Sequence, residues 1–217
     1  MSRLAMNAAR GKFISLEGGE GAGKSTLLAG LCKHIEQHGM TLMQTREPGG
    51  TGVGEAVRAI VLDSAQRGLT AETELLLMFA SRAQLVREVI EPALRAGQWV
   101  LCDRFADASY AYQGGGRGQP ESRIAELERW ACAGIKPDLT LLLDLPVATG
   151  RARAAGRGDV DRIEVEADSF FERVRATYRQ RAATEPDRFR LIDASQSPSA
   201  VLQAAINAVA HLFQADA

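Results

Sequence analysis

Three cysteines, Cys32, Cys102 and Cys132, are all that this 217-residue chain has, and none belongs to a C-x-x-C pair. So few excludes a disulfide framework and a cysteine-built zinc site, and leaves the thiols as small buried apolar groups. No apolar run approaches the ~18 residues of a membrane-spanning helix, and the polar lead-in MSRLAMNAARGK has no signal-peptide core. An excess of one charge is also missing, since the formal net charge is -1. Without a global field, neither nucleic acid nor an anionic membrane is expected as a partner; any anion binding must be local, and the chain is expected to be cytoplasmic. Lysine is scarce too: Lys12, Lys24, Lys33 and Lys136 are the only lysines among 26 basic residues. An Ala-, Gly- and Arg-rich composition accounts for most surface arginines. Arginines beside phosphate-binding signals are a different matter, because a planar guanidinium pairs bidentately with phosphate oxygens.

What is present is 46% hydrophobic and 24% charged, enough for one domain spanning residues 1–217. Short apolar runs at 12–17, 40–45, 98–103, 139–145 and 189–193 read as strands buried on both faces. Helical stretches fall at about 24–38, 53–63, 71–96, 120–133, 166–184 and 198–213. Alternation of this kind predicts an α/β fold, a five-stranded parallel sheet wrapped by helices in three layers, with ligands at the carboxyl ends of the strands. The informative loops follow those ends: GGEGAGKS, TREPGGTG, DRFADASYAYQGGGRG and, after a helix, GRARAAGRGDVDR.

Gly18 to Ser25 matches G-x-x-x-x-G-K-[ST] between a strand and a helix, the context that makes the pattern a triphosphate site. Gly18, Gly19, Glu20, Gly21, Ala22, Gly23, Lys24, Ser25 and Thr26 are therefore the expected ATP-binding residues. Backbone N–H groups converge there, and the following helix adds the positive end of its dipole. Lys24 bridges the β- and γ-phosphates in this reading, and Ser25 ligates Mg2+. A GTPase would need Asn-Lys-x-Asp, yet neither Asn7 nor Asn207 precedes a lysine. A motor ATPase would bring more chain.

LEGGEGAGKST, TREPGG, DRFADASYAYQGGGRG and GRGDVDRIE, in this order, closely resemble the thymidylate kinase family of the bacterial kind, from about residue 12 to residue 200. The resemblance implies a P-loop kinase fold and Mg2+-dependent phosphoryl transfer from ATP to dTMP in a homodimer. Arg104 and Arg58 would bind the acceptor phosphate. Arg46 and Glu47 are expected either to pair with each other and shape the loop or to contact the ligand directly. Ser109 and Gln113, on one helical face, would hydrogen-bond the pyrimidine, and Arg82 would reach its other carbonyl. Either Met78 or the following Phe79 would stack on the base. Tyr112 would lie under the sugar and exclude a 2′-hydroxyl, and Glu20 would accept the 3′-OH.

The catalytic set so implied is Lys24, Arg104, Arg157 and Arg153, the last two on a lid at about 150–163, with Arg151 and Arg162 nearby. Arg157 is favoured for the transition state and Arg153 for the adenine or the phosphates, while Arg162 is expected to pair with Asp159 or Glu166. Asp103, at the end of an apolar strand, is a candidate to organise the metal shell with Ser25 or to organise Arg104, and Asp144 is the weaker candidate. Another nucleoside monophosphate kinase of this fold, and a nucleotide-binding regulator without activity, are the competing readings.

Overall fold

The computed structural model describes residues 10–66, 68–155 and 161–213. Its five strands, β1 (Phe13–Gly18), β2 (Leu42–Arg46), β3 (Trp99–Asp103), β4 (Leu139–Asp144) and β5 (Phe189–Asp193), form one all-parallel sheet in the order β2-β3-β1-β4-β5. Each lies within two residues of its expected span. Burial on both faces holds for the three central strands and fails for β2 and β5. These two form the sheet edges, where residues such as Gln44, Arg46 and Leu191 stay in water.

Helix α1 (Lys24–Gln37) buries Leu27, Leu31 and Ile35 at four-residue spacing, one stripe of an amphipathic helix. It packs with α9 (Pro198–Val209), through Val201, Ala205 and Val209, over Ile14, Leu16, Leu101 and Leu141 of the sheet. A 3-10 turn, Ala210–Phe213, completes the expected 198–213 helix.

On the other side, α2 (Gly52–Leu62) starts at Thr51, whose side chain accepts from Gly54 N; α3 (Ala71–Leu85) starts at Thr70 in the same manner. The expected helix 71–96 is continuous but widens into a π-helical turn, Val86–Ile90, before α4 (Glu91–Arg95). Pro92 has no N–H to return to the preceding turn, which accounts for the widening just before it. Next come α5 (Ala106–Ser109), a π-helical stretch Tyr110–Gly116, α6 (Glu121–Cys132), α7 (Val147–Ala154) and α8 (Asp168–Thr184). Arg151 and Arg153 lie within α7, not in the loop that follows it as the sequence suggested. Among the described residues no helix is long and apolar enough to cross a membrane.

Candidate active site

The loop after β1 is held open by glycine backbone geometry. Gly21 has φ 69°, and a Cβ there would lie 1.9 Å from the carbonyl oxygen of Gly150 on α7. Only glycine lets the loop and α7 approach so closely. Lys24, the first residue of α1, folds back so that Nζ donates to Gly18 O (3.2 Å) and Gly19 O (3.1 Å). Burial, and then the charge of Arg104, push its pKa below the usual lysine range. Both costs are relieved when an anion sits at the loop. Ser25 and Thr26 follow, exposed, and Ala22 is buried.

Arg104 is one of two non-glycine residues with positive φ among those described, at 70°. Such a conformation persists where surrounding bonds over-determine it. Here Arg104 N donates to Leu16 O at 2.9 Å, and Phe105 N to Glu17 Oε1 at 2.7 Å. The guanidinium then reaches Gly18 O (2.8 Å), Glu20 Oε1 (2.7 Å) and Tyr178 Oη (3.3 Å), and lies 4.8 Å from the Tyr112 ring centre. Tyr112 Oη donates to the same Glu20 oxygen at 3.0 Å. In this structure the carboxylate in the phosphate loop is therefore a counter-charge for Arg104. Tyr178 Oη in turn donates to Glu17 Oε2 at 2.7 Å.

Glu17 and Tyr178 escaped the sequence reading. A glutamate closing an otherwise apolar central strand was the available signal for the first. Nothing local marks the second, which is 161 residues away. Burial, with the negative charge of Asp107 adding to it, raises the Glu17 pKa to about 8 against the pull of its donors.

Beside the loop opens a cavity of about 200 Å³ lined by Lys24, Arg58, Met78, Arg104, Tyr112 and Gln113 among others. Met78 faces it, whereas Phe79 packs into the core with Leu75, Tyr110 and Ile124. Arg58, half-buried on α2, is steadied by NH1 donating to Pro48 O at 3.1 Å. Arg46 and Glu47 do not pair with each other. Arg46 meets Glu55 at 2.9 Å on the outside, and Glu47 accepts Arg82 Nε at 2.8 Å in the interior. Adjacent residues of an extended segment point to opposite sides. Arg82 and Ser109 are fully buried and joined, NH1 to Oγ at 3.0 Å, and neither lines the cavity.

Two strand-end carboxylates differ in the same way. Asp144 is taken by Arg175 (2.7 Å) and Arg179 (2.9 Å), which outweigh burial and lower its pKa. Asp103 has a buried Oδ1 without a hydrogen-bond partner among the described residues, and it shares a recess with Ser25. That pair suits Mg2+, which takes one or two protein oxygens and completes its shell with phosphates and water.

On α7, Arg151 binds Glu166 O (2.7 Å) and Asp168 (3.0 Å), and Arg153 binds Ala194 O (2.7 Å) and Ser195 O (3.3 Å) in the loop after β5. Arg157 and Asp159 lie outside the described residues. Arg162 does not pair with Glu166, which is held by Arg117; it binds Val61 O at 2.8 Å and the carboxylate of Glu74.

The amide loop with Lys24 and the guanidinium groups of Arg58 and Arg104 thus line one cavity of small-molecule size, with Arg104 bonded directly to the loop. This layout, at the carboxyl edge of a parallel sheet, defines a P-loop phosphotransferase. The sequence pattern of the family described as Thymidylate kinase matches residues 16–205. The chain is 55% identical over 191 residues to the thymidylate kinase of Pseudomonas putida (strain GB-1), covering 88% of this chain and 91% of that one. It is 53% identical over 202 residues to that of Alkalilimnicola ehrlichii, covering 93% of each. The crystal structure of thymidylate kinase from Ehrlichia chaffeensis superposes with a TM-score of 0.76 at 30% identity, over 93% of this chain and 99% of the other. The chain belongs to the thymidylate kinase family.

Proposed function

We propose that Arg104 joins the two halves of the reaction dTMP + ATP = dTDP + ADP in a single domain. The observation that carries this is its guanidinium, hydrogen-bonded to Gly18 of the phosphate loop while lining the acceptor cavity. The γ-phosphoryl group leaves the bridging oxygen of ADP as a phosphate oxygen of dTMP bonds to phosphorus. With a second pKa near 6, much of that phosphate is already a dianion at neutral pH, so no strong general base is needed. The barrier is repulsion between two polyanions, and it is lowered by positioning and positive charge.

Residues 18–26 and Lys24 hold the donor, and Arg58 with Arg104 the acceptor phosphate. Mg2+, held by Ser25 and Asp103, would neutralise charge on the donor phosphates. Met78 covers the base, Gln113 reads its edge, Tyr112 crowds C2′, and Glu20 accepts the 3′-OH. Burial and mutual pairing of Arg82 and Ser109 support a role behind that wall. Arg157 is assigned to the transition state; the docking of Arg153 on Ala194 and Ser195 favours the donor's far side.

Exposed Leu76 and Trp130, on neighbouring α3 and α6, support a homodimer. The enzyme works where its nucleotides are, in the cytoplasm. Purified protein with ATP, Mg2+ and each natural nucleoside monophosphate, assayed for ADP release, should give its highest kcat/KM with dTMP. Preference for a ribonucleotide would overturn the assignment.

A further inference from the structure

Gln113 is 1% exposed and lines the acceptor cavity. Its Nε2 donates to Glu74 Oε1 at 2.8 Å, while its Oε1 is buried with no hydrogen-bond partner among the described residues. The amide could present either end to the cavity by turning half a revolution. What decides is Glu74, because an ionised carboxylate accepts and never donates, and so admits only the amide nitrogen. Glu74 itself cannot turn away. It is 1% exposed, and its Oε2 is held by Arg117 at 3.2 Å and by Arg162. Burial favours its neutral form, but the hydrogen bonds from Gln113 and Arg162 and the charges of both arginines outweigh it and lower its pKa.

We infer that Glu74 is a positioning residue for acceptor selection: by holding the Gln113 amide nitrogen it leaves only the unpartnered carbonyl oxygen to meet the acceptor base, which must then offer an N–H there. The inference rests on the cavity being the dTMP site. Thymine carries a donor at N3, which satisfies the waiting oxygen. Cytosine has a lone pair at N3, and two acceptors facing each other in a desolvated site are strongly disfavoured. Without Glu74 the amide could flip and serve both bases. Glu74 is absent from the cavity lining; it reaches the cavity through Gln113 and, by way of Arg162, through the neighbouring Asp161 and Ile163.

The variant Glu74→Gln supplies a side chain that donates or accepts, freeing the amide. Steady-state kinetics with dTMP and dCMP should show the ratio of kcat/KM values falling by about tenfold or more, the loss for dTMP appearing in KM rather than kcat. The exchange Glu74→Gln with Gln113→Glu puts a donor on α3 and a pure acceptor at the cavity, and should restore the dTMP preference. An unchanged ratio in a folded single variant, or equal losses on both acceptors, would leave Glu74 with a structural role and overturn the inference. If the single variant does not fold, the exchanged pair decides: wild-type selectivity supports the lock, and lost selectivity refutes it. A wild-type enzyme without dTMP preference would instead remove the reading of the cavity, before any variant is compared.

Discussion

Glu17 sits fully buried behind the phosphate loop with its pKa raised to about 8. A carboxyl that holds its proton more tightly folded than unfolded contributes stability below its ordinary value of 4.5, and that contribution is lost as the pH rises toward 8. Thermal melts of the wild type from pH 5 to pH 8 should therefore slope downward more steeply than those of Glu17→Gln; parallel slopes would reject the assignment. Arg82 illustrates the opposite risk. Its removal in Arg82→Met leaves Glu47 as an uncompensated carboxylate in the core, with a cost of about 3–5 kcal/mol. Urea unfolding should show the midpoint falling accordingly, and a near-wild-type midpoint would mean that Glu47 finds another partner. Neither residue lines the cavity, so stability is the direct readout for both.

At the level of elements, the phosphate loop and α7 constrain each other. The Gly21 backbone, at φ 69°, lies against the carbonyl of Gly150, and a Cβ at Gly150 would in turn approach Glu20 O to 2.4 Å. Gly21→Ala must move either the amide loop or α7. Because a misplacement of about 1 Å can cost roughly 10²-fold in rate, kcat/KM for ATP should fall by about that much while the melting temperature changes modestly. Unaltered ATP kinetics would show that the loop relaxes without cost. Gly150, which meets the loop, and Arg151 and Arg153 all lie on α7, so the loop packs against a helix and not a free coil.

At the scale of the molecule, several large apolar side chains among the described residues stay in water. Leu76 (58% exposed) and Trp130 (79%) line one hollow, and Val53 and Ile60 lie exposed on α2, which packs on α3. Clustered large apolar groups of this kind mark association surfaces more often than solvent faces. Sedimentation of the wild type should give twice the chain mass, and Trp130→Glu should shift it to one. A wild-type monomer would reject the dimer and leave the hollow unexplained.

The strands, their parallel alignment and the phosphate loop were legible in the sequence, because a buried strand, an amphipathic helix and a glycine-rich turn each declare themselves within a few neighbouring residues. Placement of Arg104 and Arg58 beside that loop was legible for the same reason, since both follow strand ends in a parallel sheet. Pairing was not. Whether Met78 or Phe79 faces the ligand turns on about 100° of helix rotation, set by what α3 packs against. The partners of Arg82, Arg162 and Glu17 come from segments 35, 88 and 161 residues distant. Local propensity carries no information across such spans; only the packed sheet brings these charges within reach, and burial then decides which of them each one holds.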